Sequence, residues 1–275
     1  MNYFQMCLRY CLFVFLLTCT SKSQFIQQIH FFPETTYVSP FAADGHAHRV
    51  NVENILFTKN VRATMGGMFP MVNIDLFETT IQAAISGSIH FELSPYGQAH
   101  IISNDYYVDY VTVSVPLTKQ YFAQGIAGHT SHHLSDNWYE RLKLTSAVRY
   151  SRDYIKLFLV READMNDQFY FGADYAYIFT VNGRRINKRW TVQTGGKISL
   201  ADLYTNITLY VAADCKIRQE ANFAATNTIQ FGVATPMQQG KILRISYQFR
   251  TGLDERGQFY PQHRMLNTVG FTIEL

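Results

Sequence analysis

Beyond residue 24 the chain has a single cysteine, Cys215; the other three, Cys7, Cys11 and Cys19, come earlier. A disulfide framework within one molecule and a four-cysteine metal site are therefore excluded from the segment that folds. That segment also lacks an apolar run of the roughly 20 residues a membrane-spanning helix needs. Charge is scarce, at 16% of residues, and leaving out Arg9 and Lys22, the only charges before residue 24, lowers the formal +3 to +1. So even a balance gives no electrostatic footprint for nucleic acid and no preference for an acidic partner. Apolar residues still make up 47% of the sequence and aromatics 15%. With no long runs to hold them, they must be spread over one face of regular elements.

The start of the chain carries the three parts of a secretory leader: a basic opening ending at Arg9, an apolar stretch from Cys11 to Leu17, and a small-residue exit through Thr18 to Ser23. Residues 1–23 are read as a signal peptide. Acylation of Cys19 is the alternative, because Leu16-Leu17-Thr18-Cys19 resembles a lipobox, from which Thr18 departs. Residues 24–60 have weak periodicity and two prolines, Pro33 and Pro40. They are read as an N-terminal arm that either folds inward as a plug or lies outside, and residues 61–275 as one β domain.

From about residue 60 the dominant period is two, the signature of strands with unlike faces. Leu243, Ile245, Tyr247 and Phe249 alternate with Arg244, Ser246, Gln248 and Arg250; Ile81, Ala83, Ile85, Ile89, Phe91 and Leu93 alternate with Gln82, Ala84, Ser86, Ser88, His90 and Glu92. Similar alternation, in places weaker, at 61–76, 105–117, 119–131, 140–150, 152–161, 169–179, 189–198, 206–214, 228–233 and 265–275 gives about twelve strands, within a range of 10–14. Turn-prone pieces such as Ser94-Pro95-Tyr96-Gly97 and Val181-Asn182-Gly183-Arg184 separate them.

A soluble sandwich and a membrane barrel can both use such strands, and the question that separates them is which face is wet. Arg244, Arg250, Lys156, Asp174, Glu92 and Asp214 sit at mid-strand on the polar face. Charges there suit the hydrated lumen of a closed antiparallel transmembrane β-barrel, with the apolar face toward lipid. Together with Arg141, Lys143 and Arg149 they would form a ladder of opposed charges. Tyr106, Tyr107, Tyr121, Phe122, Trp138, Tyr139, Tyr150, Tyr154, Trp190, Phe259 and Tyr260 crowd strand ends, as in the aromatic girdles of membrane barrels. The final segment, with Gly270, Phe271, Ile273 and Leu275, resembles the terminal signal by which the outer-membrane assembly machinery recognises barrels. Leu275 departs from the usual phenylalanine.

Several pieces resemble the bacterial family known as domain of unknown function 1207, whose members are predicted outer-membrane proteins. They are Phe31-Phe32-Pro33-Glu34-Thr35, Ser39-Pro40-Phe41, Gly67-Met68-Phe69-Pro70, the stretch from Gly128 to Asp136, Arg141-Leu142-Lys143-Leu144 through Asp153, and the stretch from Gly252 to Tyr260 followed by the last strand. The resemblance spans most of the chain after the leader. It implies the barrel and its address, and no activity.

The stretch Gly128-His129-Thr130-Ser131-His132-His133-Leu134-Ser135-Asp136 is the richest in chemistry. On a strand His129 and Ser131 share a face, which is what an imidazole needs to act as general base on a serine hydroxyl. Outer-membrane phospholipases and lipid A deacylases carry a similar His-x-Ser pair, with an asparagine directly after the serine where this chain has His132. Asp136, Asn137 or Glu140 could orient the imidazole. Alternation of Phe122, Ile126 and Thr130 would set those residues toward lipid and His129 and Ser131 toward the lumen, but Gly125, Ala127 and Gly128 leave the phase open. A metal reading would use His129, His133 and Asp136, or His46 and His48. The bland reading makes Ser131, Ser135 and Asp136 a polar cluster that ends one strand and fixes the following loop.

The expectation is thus a monomeric bacterial outer-membrane barrel with no cofactor and no metal, structural or passing small solutes, whose partners are outer-membrane lipids and the assembly machinery. A lipid-ester hydrolase using His129, Ser131 and Asp136 is the alternative, and a soluble periplasmic β protein the third.

Overall fold

The computed structural model describes residues 26–95, 100–141, 143, 149–163, 167–237, 240–259 and 261–274. The expected leader with Cys19, the girdle residue Tyr260 and the terminal Leu275 lie outside these residues. In chain order the elements are β1 (Ile26–Phe31), β2 (Val50–Ile55), β3 (Val61–Leu76), β4 (Thr79–Ser94), β5 (His100–Pro116), β6 (Tyr121–Leu134), the short helix α1 (Asp136–Arg141), β7 (Arg149–Glu162), β8 (Gln168–Val181), β9 (Arg184–Arg185), β10 (Trp190–Tyr204), β11 (Ile207–Arg218), β12 (Ala224–Pro236), β13 (Ile242–Leu253) and β14 (His263–Glu274).

Every pairing is antiparallel, and the sheet closes on itself where β14 pairs with β2 from Thr268↔Ile55 to Ile273↔Val50 and β2 pairs with β3 from Asn51↔Thr64 to Asn54↔Val61. Twelve strands, β2 to β8 and β10 to β14, make the wall. Closure satisfies the backbone groups that an open edge would leave unpaired, at several kcal/mol each in hydrocarbon. Two additions lie on this frame: β9 pairs with β8, and β1 covers the part of β3 from Val72 to Leu76 that β2 does not reach. One rim has short turns, such as Phe77-Glu78 and Thr205-Asn206, and the other has the long connections 135–148 and 254–262.

The two faces are inverted relative to a soluble protein. On β13, Arg244 is 1% exposed while its neighbour Ile245 is 55% exposed. Along β4 the buried residues are Gln82, Ala84, Ser86, Ser88, His90, Glu92 and Ser94, whereas Ile85 is exposed. Met65, Phe69, Leu157 and Phe171 likewise project outward. A sandwich would bury these apolar side chains, so the exterior suits hydrocarbon and the interior suits water and ion pairs.

Three expectations about the strands change. The stretch 140–150 does not start as a strand: α1 occupies residues 140 and 141 and β7 begins at Arg149, while 142 and 144–148 lie outside the described residues. The twelfth strand is β2, which lies in the segment read as an arm. Its inward Asn51, Glu53 and Ile55 alternate with outward Val50, Val52 and Asn54 over only six residues, too short a signal beside an aperiodic stretch. The aromatic girdle also loses members, because Tyr107, Tyr150 and Tyr154 are buried inside and Phe122 packs against an internal cluster, while Tyr121 and Trp190 stay outside. Adjacent pairs such as Tyr106-Tyr107 had to divide between the faces.

Candidate functional site

The lumen is filled from both rims. At the short-turn rim the Tyr37 N–H donates to Gln82 Oε1 (2.8 Å) and Gln82 Nε2 donates to the Thr35 carbonyl (2.9 Å). Across the mouth the Ser39 N–H donates to Glu162 Oε1 (2.7 Å) and Gln168 Nε2 donates to the Ser39 carbonyl (2.9 Å). Residues 35–39 thereby bridge β4 to β7 and β8. The Phe41 ring then stacks on Tyr170, centroids 3.6 Å apart, and meets Phe158 edge-on at 5.2 Å. With Val38, Ile126, Tyr154 and Val160 these rings make a dry patch inside an otherwise polar barrel.

The middle of the lumen is electrostatic. Lys216 Nζ on β11 lies 2.6 Å from Asp44 Oδ1 of the plug and 2.9 Å from Glu255 Oε1 of the long loop 254–262, and Glu255 also pairs with Arg250. One ammonium thus joins the plug, the wall and the loop. Burial would raise the Asp44 carboxyl, but Lys216 outweighs it and holds the group well below the usual carboxylate range. Glu255 is also lowered: burial opposes this, and Arg250 and then Lys216 prevail. Burial, reinforced by Lys216, pushes the His46 imidazole well below its ordinary value.

The long loop is held at a second point. The Gly257 N–H donates to His132 Nδ1 (2.8 Å), and His132 Nε2 lies 2.8 Å from Thr130 Oγ1, which itself donates to the Tyr106 carbonyl. Gly257 lies flat on the Tyr150 ring, which a Cβ would strike. Glu92 accepts from Arg264 at 2.7 and 2.8 Å and pairs with Arg256 at 3.2 Å. Two internal cavities, of about 60 and 50 Å³, flank the centre. Each has room for a few waters.

All six mid-strand charges, Arg244, Arg250, Lys156, Asp174, Glu92 and Asp214, face this interior. Arg244 pairs with Glu274, and Asp174 with Arg152 at 3.2 Å. Arg149 does not join them; it lies on the outer face, Lys143 is in the 135–148 loop, and the side chain of Arg141 lies outside the description.

The His-rich strand has the phase opposite to the one its apolar residues implied. Gln124, Ile126, Gly128, Thr130 and His132 are the buried set of β6, and His129, Ser131 and His133 project outward. Ile126 was misleading because the plug supplies an apolar partner inside. Outside, His129 Nδ1 lies 2.5 Å from Asp153 Oδ1 on β7, and Ser131 Oγ lies 2.8 Å from His133 Nε2. Register sets His129 opposite Asp153, Ser131 opposite Ser151 and His133 opposite Arg149, with Tyr106 across from Ser131 on β5. Asn104 Nδ2 donates to the Tyr106 hydroxyl at 3.0 Å. A polar island thus interrupts the apolar exterior, flanked by exposed Val108, Tyr110, Ile155 and Leu157.

Asp136 takes no part in it. That residue opens α1, where Ser135 caps the helix: its Oγ accepts from the Trp138 N–H (3.3 Å) and its carbonyl from the Tyr139 N–H. Glu140 is on the same helix. The carboxylate beside His129 is Asp153, which the sequence reading missed because 24 residues separate the two; only the β6–β7 register joins them. For metal, the three-ligand group among the described residues is Asp44, His46 and Glu255, with ligand atoms within 4.8 Å of one another. The Lys216 ammonium already bonds two of the three, Asp44 and Glu255. His48 instead bonds Asp109 (2.8 Å) and Ser88 (2.9 Å). Gly270 and Phe271 lie on β14 at the closing seam, where a Cβ at Gly270 would collide with the Val52 carbonyl; Phe271 is exposed and Ile273 pairs with Val50.

Comparison with known proteins adds a family and a fold. The family model described as "Protein of unknown function (DUF1207)" matches residues 18–274. Among solved structures, outer membrane phospholipase A from Escherichia coli superposes with a TM-score of 0.51 at 11% identity, covering 87% of this chain and 99% of that one. The outer membrane phospholipase dimer of Salmonella typhi, solved with calcium, gives 0.51 at 11% identity, covering 88% and 95%. At that identity the likeness is one of barrel fold. No curated protein matches the sequence.

Proposed function

We propose, for a chain that belongs to the DUF1207 family, the role of a sealed barrel in a bacterial outer membrane. The observation that carries this is the double closure of the lumen, by residues 35–49 from one rim and 254–259 from the other, meeting on Lys216. The exposed apolar exterior supports a lipid environment, and both similar barrels are outer-membrane proteins by their printed names. Those names also say phospholipase, which at 11% identity does not transfer. Export by a cleaved leader at residues 1–23, recognition of Gly270, Phe271, Ile273 and Leu275 by the assembly machinery, and a monomeric state complete the reading.

In this role the barrel is structural as it stands, and passage of a small solute would require the plug or the long loop to move. Planar-bilayer recording tests the claim. Wild-type protein should insert without steady conductance, while the D44A/E255A double variant should flicker open as the central contact is lost. Steady wild-type conductance would sink the sealed-barrel reading. Carbonate extraction tests the location separately, since release into the soluble fraction would remove the membrane.

A further inference from the structure

We propose that the polar island on the outer face of β6 and β7 is a serine-dependent site that hydrolyses acyl esters of membrane lipids, with Ser131 as nucleophile, His129 as general base and Asp153 as the residue that positions His129. The inference rests on the reading that this face meets lipid.

Its position is the first argument. Ionisable side chains on the hydrocarbon-facing wall of a barrel are costly at mid-membrane and cost little at the interfaces. His129, Asp153 and Arg149 project outward here, and the wall next to them is apolar. Ser131 lies three residues before the end of β6 at the long-loop rim. That is about 10 Å along the strand, and less in depth because barrel strands tilt. Lipid acyl esters lie at this level, just beneath the headgroups.

The second argument is chemical. His129 Nδ1 points at Asp153 at 2.5 Å, so that nitrogen carries the proton and Nε2 keeps its lone pair. Ser131 is two residues along the same face and is flanked by imidazoles on both sides, His129 and His133. Its hydroxyl bonds His133 at 2.8 Å in the rotamer observed, and the proposed attack requires it to turn about χ1 to His129, two residues away on the same face of the strand. Of the two imidazoles, only His129 pairs with a carboxylate among the described residues. Such support lets an imidazole accept a proton during reaction, because the acid stabilises the imidazolium. Opposite His133, Arg149 makes no ion pair with a carboxylate among the described residues. Its guanidinium is available to the phosphate of a bound lipid.

The reaction balances with water as the only co-reactant. Ser131 Oγ bonds to the ester carbonyl carbon as His129 Nε2 takes the hydroxyl proton. The tetrahedral adduct expels the lipid alcohol, which leaves with that proton. Water, deprotonated by His129, then adds to the acyl-serine ester; its C–Oγ bond breaks, fatty acid departs and Ser131 regains a proton.

The test uses the full chain, purified folded in detergent, mixed in separate arms with phosphatidylethanolamine and with lipid A. The readouts are fatty acid released and the mass of the adduct formed with a fluorophosphonate probe. Wild type should release fatty acid and take one adduct on Ser131. S131A should abolish both, while S199A, on β10 and outside the island, should leave both intact. D153N should lower kcat by about 10²–10⁴ with KM little changed and move the alkaline-active limb of the pH profile. Release in one arm only identifies the lipid class. No release in either arm and no adduct from wild type that migrates as a folded barrel would overturn the proposal, as would release that persists in S131A. Quenching of tryptophan fluorescence by brominated lipid reports independently on bilayer contact, so loss of the membrane reading is distinguishable from loss of the site.

Discussion

Lys216 is the side chain on which the interior depends most, because its ammonium lies within 3 Å of carboxylates from two segments that are otherwise remote in sequence, Asp44 and Glu255. K216M removes the cation and leaves buried carboxylates behind. Removing one partner of a buried pair costs about 3–5 kcal/mol, so the thermal midpoint in detergent should fall by several degrees; an unchanged midpoint would contradict the arrangement. Acid should act through the same groups. Asp44 and Glu255 are lowered in the folded state, so their contribution is complete above the ordinary carboxylate value and is lost as pH falls through the folded values. His46 is lowered as well, so below its ordinary value of 6.5 the unfolded chain takes a proton that the folded chain refuses. Both effects have one sign. Measured against a D44N/H46N/E255Q variant, the wild-type advantage in midpoint should shrink gently below about pH 6.5 and steeply in the carboxylate range, and an advantage that grows between pH 7 and 5 would refute the assignment.

Among the elements, β6 teaches the most about phase. Thr130 and His132 point inward and hold the loop through Gly257, and the three alternate residues His129, Ser131 and His133 make the outward island. A slip of one residue in a strand exchanges its whole set of faces, so a small error in phase is a large error in chemistry. The strand ends in a cap, and S135A should loosen α1 by about 1 kcal/mol. Hydrogen exchange at the Trp138 and Tyr139 amides would rise while the β6 ladder stayed protected. Equal exchange in the two proteins would mean that Ser135 is not the cap.

For the molecule as a whole, the seam between β14 and β2 decides whether the wall closes. Gly270 sits there against the Val52 carbonyl with no space for a Cβ, whereas a Cβ at Gly87, in mid-wall, would meet only the Tyr107 carbonyl at 3.5 Å. G270A should therefore reduce the yield of folded barrel, seen as the fast-migrating species on unheated electrophoresis, and G87A should not. Equal yields would show that the seam tolerates a wider spacing. Sealing is a property of this same scale, because neither the plug nor the loop fills the lumen alone.

What the residues determined by themselves was the inverted barrel. Strict alternation of Arg244, Ser246, Gln248 and Arg250 with Leu243, Ile245, Tyr247 and Phe249 separates two unlike faces, since period two is local, and the mid-strand charges weighted the choice toward a wet lumen. Strand β2 was harder to see, being six residues long beside an aperiodic stretch. Only the tertiary structure decided the face of β6, the role of residues 35–49 and the partner of His129. Val38 and Phe41 bring an apolar surface into the lumen, which lets Ile126 and Phe158 turn inward and removes the rule that apolar means outside. Asp153 reaches His129 through strand register, a relation between chain segments that no single stretch of sequence contains.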